Sequence, residues 1–226
     1  MPSYHTDEFS KRAVSYNEHN IIQKKVVKKL IENIKSRPKK ILDLGCGSGA
    51  VYKNITWDIE KFVGVDKAAS MCELHPSDKC IKLLNEDFES FEFEKYDMVI
   101  SSSALQWAKD LNLLFKKITS NSHEIAFAIF CDGTFKTIYE VANLQPFLPR
   151  HQELLDLLSR YFEFTHEVVH YRLEFEDNLS KFRYIKNSGV SGGERKLSFR
   201  DTKRLIENYP HKYLEFEVMF VWGKSI

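Results

Sequence analysis

The chain has 226 residues, 43% hydrophobic, 13% aromatic and 29% charged, enough to close one full core. Its 33 Lys plus Arg against 32 Asp plus Glu give a formal net charge of +1, which excludes a histone-like basic protein and an acidic disordered chain. The longest uninterrupted apolar run, Ile125 to Cys131, is seven residues, against roughly 18 to 20 for a bilayer span. The opening MPSYHTDEFSKR has no apolar signal core, so a globular cytoplasmic protein is expected.

Charge is uneven along the chain. Residues 1–40 carry net +6 and residues 177–212 net +5, whereas residues 41–176 carry net −9. Solvated helix faces account for any single lysine run; two basic segments flanking an acidic core also suit an acidic partner. Cys46, Cys72, Cys80 and Cys131 lack CxxC spacing, so reduced thiols are expected rather than a zinc knot or disulfide framework.

In chain order, helices are predicted over 7–16 and 18–35. The second has Ile22, Val26, Val27, Leu30 and Ile34 at helical spacing, with lysines on the other faces, and Arg37 and Pro38 to end it. Five apolar runs then alternate with helical stretches: KILDL (40–44), KFVGVD (61–66), CIKLLNED (80–87), YDMVIS (96–101) and EIAFAIF (124–130). That alternation predicts a parallel sheet with helices on its faces. Helices are expected near 134–143 and at 154–162. Alternating runs at 165–175 and 213–222 predict an antiparallel edge pair, interrupted by a helical insert at 177–187 and 200–208 around the loop SGVSGG.

The sharpest motif is ILDLGCGSG at 41–49, a strand running into a glycine turn where backbone can approach a ligand at a helix start. Gly45, Gly47 and Ala50 also satisfy the dinucleotide pattern, which keeps a nicotinamide or flavin site open. Asp43, two residues before the first glycine, favours a ligand with an ammonium group over a pyrophosphate, which it would repel. Asp66 lies 21 residues after Gly45, at the end of the second strand, where an acid can accept from a ribose diol. Asp87, a further 21 residues on and read as ending the third strand, is followed by Phe88. A carboxylate and a ring there suit an adenine amino group and its face. Together these features outline a site for adenine, ribose and a zwitterionic amino-acid end, the composite of S-adenosylmethionine.

ILDLGCGSG, Asp66 and the pair Asp87 and Phe88 resemble the cofactor motifs of class I S-adenosylmethionine-dependent methyltransferases. FSKRAVSYNEHNIIQKKV (9–26), SSSALQWAKDL (101–111) and YLEFEVMFVWG (213–223) resemble, more narrowly, the malonyl-[acyl-carrier protein] O-methyltransferase family of biotin synthesis. The chain departs from that family's usual Tyr-Asp at Tyr16 and Asn17, and from its Ser-Asn at Ser101 and Ser102.

The resemblance implies an α/β, Rossmann-like, seven-stranded sheet, mostly parallel with an antiparallel C-terminal pair and helices on both faces. It implies one domain: an N-terminal helical lid (1–37), a cofactor-binding core (38–145) and acceptor-side helices with the last two strands (146–226). Carried over, it puts Asp43, Gly45, Cys46 and Gly47 around the methionine end, Asp66 and Lys67 at the ribose, and Asp87 and Phe88 at the adenine. Met71 would pack on the base, Gln23 would reach the cofactor from the lid, and the segment from Ser102 would lie beneath the sulfonium. Tyr16, His19 and Trp107 are the catalytic candidates; Trp107 read by itself equally suits a surface-helix anchor.

The implied reaction methylates the free carboxylate of a malonyl thioester on acyl-carrier protein or coenzyme A. That carboxylate is already ionised, so placement and water exclusion matter more than a general base. No metal motif such as H-E-x-x-H is present and none is expected. Arg172, Lys181 and Arg183 are candidates to hold the thioester arm. A carrier-protein partner is expected rather than a membrane or nucleic acid, although Phe175, Phe182 and Tyr184 in the basic tail leave an RNA acceptor open on composition.

Overall fold

A computed structural model describes residues 20–188 and 198–226. Tyr16, His19, most of the expected lid and most of the SGVSGG loop lie outside the described residues.

Seven strands form one sheet: β1 (Lys40–Leu44), β2 (Lys61–Val65), β3 (Ile81–Leu84), β4 (Tyr96–Ser102), β5 (Ser122–Phe130), β6 (Phe162–Glu174) and β7 (Tyr213–Ser225). Their spatial order is β3-β2-β1-β4-β5-β7-β6. The first five are parallel; β7 is antiparallel to both β5 and β6. The order reverses between β1 and β4, the place where open α/β sheets bind ligands beyond their strand ends.

Helix α1 (Ile21–Glu32) buries Ile22, Val26, Val27, Leu30 and Ile31. Each such side chain contributes at most about 1.5 to 3 kcal/mol, which outweighs weak propensity in a lysine-rich segment. The helix stops at Asn33, whose side-chain amide donates to the Lys29 carbonyl at 2.9 Å, before Arg37 and Pro38 are reached. Trp222 Nε1 donates to the Leu30 carbonyl at 3.0 Å, and Trp222 pairs with Ala126 midway along β5. The C-terminal turn of α1 is thus pinned against the sheet beside β5 and β7.

Short helices α2 (Ala50–Asn54) and α3 (Ala69–Cys72) follow β1 and β2, and α4 (Leu111–Thr119) precedes β5. Two buried clusters fill the two faces of the sheet. One gathers α1 with Ile41, Phe62, Phe130 and Phe216, the other α4 with Leu42, Val99, Phe127 and Phe162. Helices α5 (Lys136–Ala142) and α6 (His151–Leu158) lie between β5 and β6. Helices α7 (Asn178–Ser188) and α8 (Phe199–Asn208) form the insert before β7.

Several expected boundaries move: the helix expected at 18–35 runs 21–32, and the last two strands run 162–174 and 213–225 rather than 165–175 and 213–222. The helix drawn at 154–162 runs 151–158, because Phe162 begins β6 and packs edge-on against Phe115 and Phe127, with centroids 5.7 and 6.1 Å apart. The third strand stops at Leu84, so Asp87 stands in the following turn rather than at a strand end. Among the described residues, no helix is long and apolar enough to cross a membrane.

Candidate active site

β1 delivers Asp43 and then breaks into the glycine loop at the sheet's switch point. Gly45 adopts φ 75°, and a Cβ there would lie 2.2 Å from the Ala104 Cβ, so only glycine lets the loop pass under the segment after β4. Ser101 ties the two strands together by donating its hydroxyl to the Leu44 carbonyl at 2.7 Å.

The loop amides are largely consumed by the protein itself. Gly45 and Cys46 N–H both reach the Val65 carbonyl, at 2.8 and 3.2 Å, and Gly49 N–H reaches the Cys46 carbonyl at 3.0 Å. Gly47 N–H donates to Asp66 Oδ2 at 2.9 Å, and Ala68 N–H donates to Asp66 Oδ1 at 2.8 Å. The place where a dinucleotide site would hold pyrophosphate is therefore occupied by a carboxylate, which removes the nicotinamide or flavin alternative.

The electrostatics select a cation. Asp43 is fully buried, and neither carboxylate oxygen has a hydrogen-bond partner among the described residues. Burial, then the nearby Asp66 charge, raise its pKa well above the ordinary carboxylate range. Burial also raises Asp66, against the lowering effect of its two amide bonds. An uncompensated buried carboxylate beside a second one fits the ammonium of a methionine moiety and the cationic sulfur beyond it.

Further along the rim, Lys67 Nζ and Asp87 Oδ2 form an ion pair at 2.5 Å. Partial burial pushes the Asp87 carboxyl up, but Lys67, the Glu89 amide and Lys109 outweigh it and leave a lowered pKa. Residues expected at the ribose and the adenine are thus joined to each other. Phe88 packs half-buried against the second core cluster. Met71 is buried, and its methyl lies 3.4 Å from where a Gly47 Cβ would stand.

The Cys46 side chain turns onto the sheet at β2. Its sulfur fills the space over Gly64, and its thiol is held up in pKa by a hydrogen bond with Cys72 and by burial. Only the backbone of Cys46 belongs to the loop.

β4 ends at Ser102, which pairs with Ala128. Ser103 then takes φ 67°, donates its N–H to the Ala128 carbonyl at 2.8 Å, and has a buried hydroxyl without a partner. Gln106 Nε2 donates to the Ser103 carbonyl at 2.8 Å, while its Oε1 is buried and unpaired. Asn20 Oδ1 and Gln23 Oε1 at the head of α1 are in the same condition. Ser103 and Asn20 escaped sequence reading, which had only a serine run and a helix start to go on; an αL serine directly after the strand is the feature that marks Ser103.

Trp107 stacks on Phe147, a ring from the loop before α6, with centroids 5.6 Å apart and planes at 18°. Lys181 is not free to hold a thioester arm. It is buried, donates to the His211 carbonyl and lies 4.6 Å from the Tyr209 ring. Arg172 covers the Tyr213 ring at 4.6 Å, and Arg183 is exposed. Phe175, Phe182 and Tyr184 pack on Tyr184, Tyr209 and Phe216, so these tail aromatics offer no stacking surface for bases.

A methyltransferase domain model matches residues 42–120. The chain is 31% identical to the malonyl-[acyl-carrier protein] O-methyltransferase of Anoxybacillus flavithermus, over 92% of this chain and 88% of that protein. It is 26% identical to the enzyme of the same name from Calditerrivibrio nitroreducens, over 93% and 88%. The fold matches a SAM-dependent methyltransferase of Thermotoga maritima described as a possible histamine N-methyltransferase, with TM-score 0.61, 13% identity, and 97% of this chain and 99% of that one covered. With its sheet order, its glycine loop and these relatives, the chain belongs to the class I S-adenosylmethionine-dependent methyltransferases and, within them, resembles the malonyl-[acyl-carrier protein] O-methyltransferases.

Proposed function

We propose that the protein transfers a methyl group from S-adenosylmethionine to the free carboxylate of a malonyl thioester, on acyl-carrier protein or coenzyme A, giving the methyl ester. The donor half is carried by the buried, partnerless Asp43 carboxylate beside Asp66. The acceptor half is supported by a likeness to malonyl-[acyl-carrier protein] O-methyltransferases that runs through 92% of the chain. Masking the malonyl charge as an ester would let a fatty-acid elongation system extend the chain, which places the reaction early in making the pimelate part of biotin.

When bound, S-adenosylmethionine supplies an electrophilic methyl group on a cationic sulfur. Asp43 would hold the ammonium, with the Gly45–Gly47 loop shaping the methionine end. Asp66 would accept from the ribose with the lone pairs that Gly47 and Ala68 leave free, and Lys67 would close that rim. Asp87 and Phe88 would bracket the adenine, with Met71 beneath. Gln23, Ser102 and Ser103 would line the space under the sulfur, where unpaired oxygens can receive its polarised C–H groups. Trp107 and Phe147 would exclude water from the acceptor, and Tyr16 and His19 would complete that wall from the lid. The acceptor carboxylate needs no deprotonation, so alignment and desolvation supply the rate.

Mass spectrometry of malonyl-acyl-carrier protein incubated with the protein and S-adenosylmethionine tests the proposal. A gain of one methyl, lost on ester hydrolysis, is expected. Turnover of S-adenosylmethionine with another acceptor but with neither malonyl thioester would overturn the acceptor assignment.

A further inference from the structure

Away from the glycine loop, Asp132, His151 and Glu217 converge from three segments: the loop after β5, the first turn of α6, and β7. One ligand atom from each lies within 4.8 Å of the others. Glu217 is 7% exposed, and Gly133 makes room for it: a Cβ there would sit 2.6 Å from Glu217 Oε2. The backbone around the carboxylate is tightly set. Cys131 N–H donates to the Glu217 carbonyl at 2.9 Å, Thr134 Oγ1 accepts from Glu217 N–H at 3.1 Å, and Asp132 N–H holds the Pro149 carbonyl at 3.1 Å.

The side-chain partners of Glu217 are imidazoles. His151 Nδ1 is 3.3 Å from Oε1, and His170 Nδ1, directly across the strand pair, is 3.7 Å from Oε2. An imidazole compensates a buried carboxylate by charge only when protonated, whereas a divalent cation compensates it with the imidazole neutral. Asp132 adds a second carboxylate, with Arg150 Nε 3.9 Å away as counter-charge.

We infer that Asp132, His151 and Glu217, with His170 able to join, form a binding site for one divalent transition ion of the zinc class. Donors bound at about 2.0 to 2.2 Å to one such ion stand roughly 3 to 3.5 Å apart, so the observed set closes on an ion by small side-chain adjustments. Oxygen and imidazole donors without thiolate suit zinc or cobalt and leave a coordination position for water. The role is structural. Phe147, which stacks on Trp107, lies in the segment between Asp132 and His151, so an ion here would fasten the loop that carries the acceptor wall. The spacing of 19 and 66 residues between ligands matches no compact motif and is visible only after β7 has paired with β5.

The test uses the untagged full chain, stripped with chelator and titrated with Co²⁺ and Zn²⁺. One Co²⁺ per chain is expected, with visible absorption in the range of four- or five-coordinate cobalt, displaced by Zn²⁺. Zinc at about 100 times its dissociation constant should raise the thermal midpoint of the wild type. His151→Ala and Asp132→Asn, both at partly exposed positions, should each weaken cobalt binding at least about tenfold and remove the zinc-dependent rise. His123→Ala, at an exposed histidine outside the cluster, should change neither. Cobalt binding that is absent, or equally strong in His151→Ala and wild type, would overturn the inference. So would an equal loss in His123→Ala, which would mean scattered surface histidines.

Discussion

The two halves of the sheet treat buried polar groups in opposite ways. Around β1 and β4, Asp43, Ser103 and Gln106 bury oxygens with no partner, as Asn20 and Gln23 do at the head of α1. Around β7, the Glu217 carboxylate faces His151 and His170, Glu215 accepts from Thr137 and Tyr209, and Lys181 donates to the His211 carbonyl, although Ser225 Oγ at the strand's end is buried without a partner among the described residues. Unpaired buried oxygens each cost about 1 to 3 kcal/mol, so the first region leaves groups for an organic ligand to satisfy, while the second has protein partners for its carboxylates and keeps the Asp132, His151 and Glu217 cluster as its binding feature. The two regions thus suit different ligands, an organic cation in the first and a metal ion in the second.

The sharpest way to break that contrast is Asp43→Asn. Calorimetry should show S-adenosylhomocysteine binding reduced by about 100-fold or more, since the fully buried, unpartnered carboxylate proposed to hold the ammonium is neutralised. The ligand-free variant should nonetheless be more stable by about 1 to 2 kcal/mol, or roughly 2 to 8 °C in thermal midpoint. The pH dependence follows from the same group. Its folded-state pKa lies above the unfolded one, so the native state binds the extra proton. Stability of the ligand-free wild type should therefore fall as pH rises from the ordinary carboxylate range through the raised pKa, and stay lowered above it. Asp66 adds in the same direction. Melting curves across that window should be flatter for Asp43→Asn; equal slopes would mean that Asp43 is not the source of the cost.

A smaller and different effect is expected at Asp66. Here Asp66→Ala should weaken cofactor binding by about 1 to 3 kcal/mol and also destabilise the ligand-free protein, because Gly47 and Ala68 lose their acceptor. Opposite stability signs at two neighbouring aspartates, read by thermal melts, would sharpen the contrast; stabilisation by both substitutions would break it.

On the far side, Trp107→Ala should raise KM for the malonyl thioester several-fold while leaving S-adenosylhomocysteine affinity within about twofold, as expected for a wall that touches only the acceptor. Unchanged acceptor kinetics would return Trp107 to a packing role with Phe147.

The smallest effect concerns docking. Arg200, Lys203 and Arg204 are exposed on α8, although Lys203 is shared with Glu207 at 3.8 Å. Reversing these charges should raise KM for malonyl-acyl-carrier protein by a few-fold and spare malonyl-coenzyme A. The carrier-protein rate should also fall as salt rises from about 50 to 300 mM. A rate indifferent to both changes would mark this face as solvated surface.

Most of the framework was legible because it obeys periodicity. All seven strands and the antiparallel pair follow from alternation and from the glycine loop. What failed was local competition. Phe162 reads as a helix residue until Phe115 and Phe127 offer it a place in the sheet, and Asp87 reads as a strand end until β3 stops at Leu84. Cys46 belongs to the loop by sequence, yet its side chain is claimed by the space over Gly64. Lys181 reads as a surface cation, but the insert folds over it. The ion pair between Lys67 and Asp87 joins two residues that sequence placed at separate ends of a ligand, since spacing along a chain carries no information about distance across a rim.

The contact between Gly45 and Ala104 has an evolutionary consequence. A Cβ at position 45 would collide with the Ala104 methyl, so that neighbour is one of two barriers to any side chain there. Shrinking Ala104 to glycine removes the collision but not the φ of 75° at position 45, which keeps that position closed to larger residues. Position 104 can therefore lose its methyl without consent from the loop, while position 45 has no neighbour able to license a change. Lineages of this fold that alter their acceptor by varying the segment after β4 must do so downstream of residue 104, where Gln106 and Trp107 stand.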